Sequence, residues 1–318
     1  MDAVTELNST SASRLNPTRM KLSAYLMSAP FSYTTDVANN VWMEDYDELE
    51  RQVDLSRAMK QFLALYNFVA ADALVYLLPS PSGCGLQDLV FTANLGLVLE
   101  HLPDQNTVVL ANFSTAPRVG ETELGHRFFT AMGYEVRVPP FRFEGEAELK
   151  HLHDNVYVGG FGLRTERAVY PWLERNFDMQ VIALEQRDPR LYHLDGSIFP
   201  IDRENTIVCT EVFSREELAA LARHTNIIDV SLDQAASGIC NSVRLGNTIM
   251  NSSHIFELRR GTEDYQLELE KNRRLEDIAA ELGFEVSFFN LSEYHKAGAL
   301  LSCMLMHLNR HSYQIALL

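Results

Sequence analysis

A single α/β domain built from repeated strand–strand–helix–strand units is what this 318-residue sequence predicts. Three observations carry the expectation. Short apolar runs of strand length alternate with amphipathic segments of helical period, and the alternation recurs roughly every 50 to 60 residues. No long linker or low-complexity block breaks it. Hydrophobic residues make up 46% of the chain and charged residues 22%, the balance of a globular protein with a sizeable core. The units lack evident self-similarity, so the repetition is one of structure.

Taken in order, residues 1–19 are rich in Ser, Thr and Asn and read as a mobile leader, with one folded domain over 20–318. Residues 45–65 hold Leu49, Val53, Leu55, Met59, Phe62, Leu63 and Leu65 among charged residues, an amphipathic helix. An apolar strand follows at 73–78 and is closed by the Pro/Ser/Gly stretch 79–83. Further strands are expected at 89–93, 107–113, 135–138, 156–158, 180–184, 206–210, 227–230, 247–250 and 285–289. Helices are expected at 120–132, 165–176, 214–223 and 262–282. The last of these has acids first and bases later, stops at Gly283, and its charges read as a solvated face.

The formal net charge is −16, from 43 acidic and 27 basic residues. That balance argues against phosphate-backbone binding, which needs Lys and Arg, and suits a cationic small molecule. There is no apolar run of about 18 residues and no basic-then-apolar start, so neither a membrane span nor a secretory signal is indicated. Cys84, Cys209, Cys240 and Cys303 are widely spaced with no Cys-x-x-Cys pair. The spacing suggests neither a zinc site nor a disulfide scaffold, and a cytoplasmic setting without metal or cofactor is expected.

Cys303, the His193-Leu194-Asp195 triplet and the carboxylate cluster Glu144, Glu146 and Glu148 are far apart in sequence. Together they are the components of covalent attack by a thiol on a cationic carbon. In a strand, His193 and Asp195 face one side and can line one pocket. A histidine of near-neutral pKa suits acid/base work, and a carboxylate suits the planar N–H pairs of a guanidinium.

Six ordered blocks between about residue 40 and residue 308 resemble the guanidine-modifying enzymes: Phe91-Thr92-Ala93-Asn94-Leu95-Gly96, Pro117-Arg118-Val119-Gly120-Glu121, Phe143-Glu144-Gly145-Glu146, Gly160-Phe161-Gly162-Leu163-Arg164-Thr165, Tyr192-His193-Leu194-Asp195, and Lys296-Ala297-Gly298 with Cys303. That superfamily holds arginine deiminases, dimethylarginine dimethylaminohydrolases, arginine dihydrolases and amidinotransferases. Asn94 and Asn40-Val41-Trp42-Met43 look most like the arginine dihydrolase branch. The resemblance implies the pentein fold, a five-bladed α/β propeller of ββαβ units with its site on the axis.

It also implies roles. Cys303 is the nucleophile and His193 the acid/base; Glu146, ahead of Glu144 and Glu148, is the acid that orients His193 or grips the substrate. Asp195 receives the guanidinium. Arg118 and Arg164 suit a substrate α-carboxylate, Arg164 being equally suited to a structural salt bridge. Asn40, Asn94, Asn241 and Glu148 complete the expected substrate contacts. Two departures stand out. Relatives generally have Gly-Asp where this chain has Ala147-Glu148, a loss of backbone freedom and an added methylene. They also tend to have small residues where Leu300 and Leu301 stand, which either narrow the pocket or pack in the core.

The reading that results is a hydrolase of guanidinium C–N bonds in arginine or a close derivative, working through an amidino-cysteine and releasing ammonia, with citrulline or ornithine as product. An amidinotransferase that passes the group to an amine is the alternative. A catalytically silent binding protein on the same scaffold is a third. No nucleic-acid or membrane partner is expected, and a homo-oligomer is compatible with the sequence.

Overall fold

The computed structural model describes residues 16–81 and 83–314, and in them fifteen strands form five three-stranded sheets. Every sheet is assembled alike: an antiparallel pair, then a helix, then a third strand parallel to the second. The pairs Gly96–Val98 with Thr107–Leu110, Leu149–His153 with Val156–Phe161, Ile198–Pro200 with Asn205–Val208, and Val243–Leu245 with Thr248–Ser252 are antiparallel. Each second strand then pairs in parallel with the strand that follows its helix: Glu135–Arg137, Gln180–Glu185, Asn226–Asp229 and Glu285–Phe289. The fifth blade joins distant parts of the chain. Ala24–Met27 pairs in parallel with Leu74–Leu77 and antiparallel with Met306–His307, so the last short strand closes the ring. This is the five-bladed α/β propeller of ββαβ units expected from the motifs, the pentein fold.

The crossover helices are Leu55–Asp72, Glu121–Met132, Val169–Phe177, Arg215–Leu221 and Glu263–Leu282. Local chemistry sets their ends. Asp54 and Thr262 accept backbone N–H groups from the first turns they cap, and Ser214 with Glu217 forms a capping box. Gly133 and Gly283 end two of the helices in the left-handed conformation. Burial fixes the faces: Ala58, Phe62, Leu65 and Val69 recur at helical spacing and pack into one cluster with Tyr25, Met27 and Tyr294. Truncating a side chain such as Phe62 to Ala costs about 3–5 kcal/mol in such a setting.

Several sequence expectations need correction. The helix drawn over 45–65 is two pieces, Glu48–Arg51 and Leu55–Asp72, because Asp47 and Asp54 each cap a new start. The strand drawn over 89–93 is displaced: a tight turn occupies Thr92–Leu95 and the strand is Gly96–Val98. Residues 1–15 of the expected leader lie outside the described residues. Residues 16–19 belong to the body, since Pro17–Arg19 form a turn, Asn16 donates to the Gln105 carbonyl and Thr18 bonds Tyr134. On Glu263–Leu282 the charges are not all solvated. Lys271 and Glu268 are buried 3.0 Å apart, with Lys271 donating to Asn251 and to the Ser252 carbonyl. Among the described residues no helix is long and apolar enough to cross a membrane.

Candidate active site

The first strand of each blade is entered through a tight turn, and the five turns converge. They are Thr92–Leu95, Gly145–Ala147, Leu194–Gly196, the 240–242 segment and Ser302–Met304. They carry Asn94, Glu144 with Glu146, His193 with Asp195, Asn241, and Cys303. Candidates that lie up to 209 residues apart are thus brought together by five equivalent positions of one repeated architecture. Gly145 makes one junction possible. At φ +62° it lies against Ala93, Asn94 and Gly96, where a Cβ would meet backbone atoms within 2.6–2.8 Å.

Two hollows meet at Tyr192, His193 and Cys303. One is walled by Asp195, Asn241, Trp42 and Leu300. The other is walled by Asn40, Asp88, Asn94, Arg118 and Arg164. Cys303 is 5% exposed. Asn241 Nδ2 donates to its sulfur at 3.4 Å, and the thiol reaches Asp195 Oδ2 at 3.5 Å. Burial, and next the Asp195 carboxylate, push the thiol up to about 12, while the Asn241 hydrogen bond opposes them. Burial and Asp195 thus both favour the protonated thiol at Cys303. A cation bound between it and Asp195 removes the main electrostatic obstacle to the thiolate.

His193 Nε2 donates to Glu144 Oε2 at 2.7 Å, and Asn94 Nδ2 lies 3.3 Å from its Nδ1. Burial works against ionising Glu144, yet the His193 hydrogen bond and charge outweigh it, with Arg164 and Arg118 assisting, and hold the carboxyl down at about 2. Arg164 Nη1 sits 3.6 Å from Glu144 Oε1, and its guanidinium stacks over Tyr192 at 5.0 Å. Ser302 donates its hydroxyl to Asp195 at 2.7 Å and its backbone N–H to Asn241 Oδ1 at 2.7 Å, which fixes both neighbours of the thiol.

The acid beside His193 is Glu144, which corrects the choice of Glu146. The cluster is a tight turn rather than a strand, so alternate residues do not share a face. Glu146 points along the axis to the other end. There it accepts from the His307 backbone N–H at 2.9 Å and from Arg310 Nη2 at 2.8 Å, and it pairs with the His307 ring at 2.5 Å. Glu148 is corrected likewise. It lines neither hollow and accepts from the Leu194 backbone N–H at 3.2 Å, beneath the turn that carries His193 and Asp195. Burial, reinforced by the charge of Glu144, raises the Glu148 carboxyl well above its ordinary value. The cost expected of Ala147 does not arise, because no positive φ occurs there.

Other candidates reach the site with prior commitments. Asn40 lines the second hollow but caps Val41–Glu44 and donates to the Ala297 carbonyl at 2.9 Å, clamping the segment that leads to Cys303. Arg118 lines the same hollow while paired through two bonds, 2.8 and 2.9 Å, with Glu121. His193 and Asp195 line one pocket through a turn, where a strand was expected. Leu300 and Leu301 divide: Leu300 lines the cleft and Leu301 is fully buried in the core. Sequence reasoning missed Asp88, which is 3% exposed and accepts from Asn39 at 2.6 Å, because it sits in an aperiodic loop. Among the described residues no three His, Cys, Asp or Glu side chains gather as a metal site.

A pentein propeller with a thiol, a His–carboxylate pair and a second carboxylate on its axis defines a member of the guanidine-modifying superfamily. Within it, the chain belongs to the eukaryotic N,N dimethylarginine dimethylhydrolase family, which residues 29–310 match. The chain is also 28% identical over 288 residues to the bifunctional arginine dihydrolase/ornithine cyclodeaminase AgrE of Nostoc sp., covering 88% of this chain and 37% of that protein. It thus spans little more than a third of that relative's length. It is 28% identical to the N(G),N(G)-dimethylarginine dimethylaminohydrolase of Mycobacterium tuberculosis over 201 residues, 62% of this chain and 63% of that one. The substrate-bound N-terminal domain of ArgZ, an arginine dihydrolase from the ornithine-ammonia cycle in cyanobacteria, superposes with a TM-score of 0.77. It is 26% identical, with 90% of this chain and 98% of that one covered. A variant of that domain has also been solved covalently bound to a reaction intermediate.

Proposed function

We propose that the protein hydrolyses a guanidinium C–N bond of arginine or a close derivative through a covalent amidino adduct on Cys303, acting as one catalytic domain. The observation that carries this reading is the arrangement around the thiol: Asp195 at 3.5 Å, with His193 lining the same cleft and backed by the buried Glu144. The guanidinium lies between Cys303 and Asp195, where its charge favours the thiolate and its N–H groups meet the carboxylate. Sulfur bonds to the guanidinium carbon and one C–N bond breaks. The proton given up by the thiol passes through His193 to the leaving nitrogen, which departs as ammonia. His193 then takes a proton from water, the hydroxide oxygen bonds to the same carbon, and the C–S bond breaks to leave citrulline. A second round on the ureido carbon, in which sulfur displaces another ammonia and a second water displaces sulfur, leaves the side-chain carbamate of ornithine, whose C–N bond breaks to give ornithine and carbon dioxide.

The second hollow suits the amino-acid end of such a substrate. Arg164 and Arg118 offer cations to the α-carboxylate and Asp88 an anion to the α-ammonium, all within one recess. The cyanobacterial relatives, named as arginine dihydrolases, and the adduct solved on one of them support arginine as substrate. Four free cysteines suit a reducing cytoplasm. Incubation with arginine, followed by assay of ammonia, citrulline and ornithine, tests the reading; turnover of no guanidine compound refutes it.

A further inference from the structure

The cleft over Cys303 does not end at its own walls. On the side away from Arg118 and Arg164 it adjoins a broad hollow of about 490 Å³, bounded by the Glu263–Leu282 helix, the 254–258 loop and the 233–237 segment. Cleft and hollow share four residues, Trp42, Ala236, His295 and Leu300. Three of them are held in place. Trp42 donates to the Arg190 carbonyl at 2.8 Å and lies under the Arg190 guanidinium, His295 stacks on His254 with centroids 5.5 Å apart, and Ala236 ends a short helix. Leu300 alone is a flexible apolar side chain, half-buried, leaning across the boundary. It does so because Gly238 faces it: at φ +88° that residue has no Cβ, and one placed there would collide with Leu300 Cδ1.

We infer that Leu300 is the specificity-determining residue that sets how large a leaving amine the site accepts. The inference rests on the hydrolase reading above. With the amino-acid end directed to Arg164 and Arg118 and the carbon at Cys303, the outer guanidinium nitrogen and anything bonded to it point toward Leu300. The isobutyl group closes that direction to bulk and leaves room for ammonia or a small amine. Beyond it the hollow is spacious enough for a longer substituent, so one side chain separates a narrow leaving-group site from a wide one. A hydrophobic wall discriminates by the volume it occupies, at about 10–200-fold per methylene-sized step.

The test compares the native protein with Leu300→Val and Leu300→Ala on arginine and Nω-propyl-L-arginine. In parallel it measures the rates at which 2-chloroacetamidine and its N-propyl derivative alkylate Cys303. The expected result is a graded rise in the propyl-to-parent ratio in both series, Ala above Val, reaching about 10-fold or more for Ala. Equal ratios in all three proteins overturn the inference. The alkylation series needs no turnover, so it reads Leu300 even if no guanidine is hydrolysed. That outcome would instead refute the hydrolase reading. Leu300→Val removes only one carbon and keeps the comparison available if the Ala variant loses stability.

Discussion

Replacing Asp195 with Asn should make Cys303 more reactive and the enzyme less active, two effects of opposite sign from one carboxylate. Asp195 Oδ2 lies 3.5 Å from the sulfur and its charge is the largest cause after burial of the raised thiol. At that separation and an effective dielectric of about 20, the repulsion between carboxylate and thiolate has a ceiling of about 5 kcal/mol, or about 3.5 pKa units. Water in the open cleft and the Ser302 hydroxyl on the same oxygen screen part of it, so a fall of about 1–2 units is expected. With a neutral reagent such as iodoacetamide, alkylation at mildly alkaline pH should then be about 10–100-fold faster in the variant. Arginine turnover should fall by about 100-fold or more, because the charge-assisted bonds to the guanidinium are lost. Alkylation that is slower or unchanged, or turnover that persists, would refute the placement of the substrate between Cys303 and Asp195.

Other substitutions separate residues that the sequence grouped together. Glu144→Gln should lower kcat by about 100-fold or more by depriving His193 of its partner, measured by steady-state ammonia release. Glu146→Gln should instead lower the unfolding free energy by about 3–5 kcal/mol in denaturant titration, since it leaves Arg310 and His307 buried without their anion. Glu148→Gln, which keeps an oxygen acceptor for the Leu194 N–H, should keep most of the activity, whereas Glu148→Asp should lose that bond and lower kcat. His151 tests the acid limb of stability. Burial lowers its pKa from 6.5 to about 4, so its contribution is complete above pH 6.5 and is lost as pH falls toward about 4. His151 alone should contribute about 2 kcal/mol to the difference between denaturant titrations at about pH 7 and pH 5, so His151→Gln should shrink that difference by about this amount, while His295, lowered likewise by burial, keeps part of it.

The outer parts of each blade are legible in the sequence and the inner parts are not. The parallel third strands, such as Gln180–Glu185 and Glu285–Phe289, are marked by apolar runs and their helices by periodicity, with Gly133, Ser214 and Gly283 capping three of the helices. The innermost strands Gly96–Val98, Ile198–Pro200, Val243–Leu245 and Met306–His307 have two or three residues each, are buried throughout, and show no alternation. The turns that precede them carry the site, so periodicity is silent where the chemistry sits. Motifs supplied Cys303, His193, Asp195 and Asn241, whose side chains all reach the cleft. They could not choose between Glu144 and Glu146, because that depends on the sense of a turn at Gly145. Nor could they find Asp88 in its aperiodic loop, or see that Gly238 leaves the space Leu300 fills.

The most direct test of the account is a mass spectrum of protein quenched in acid shortly after mixing with arginine and digested to peptides. The account predicts an adduct on the peptide that contains Cys303, carrying the arginine-derived amidino carbon, absent from the peptides of Cys84, Cys209 and Cys240 and from a Cys303→Ser variant. Sustained arginine turnover with Cys303 unmodified at every quench time, or undiminished turnover by Cys303→Ser, would contradict it.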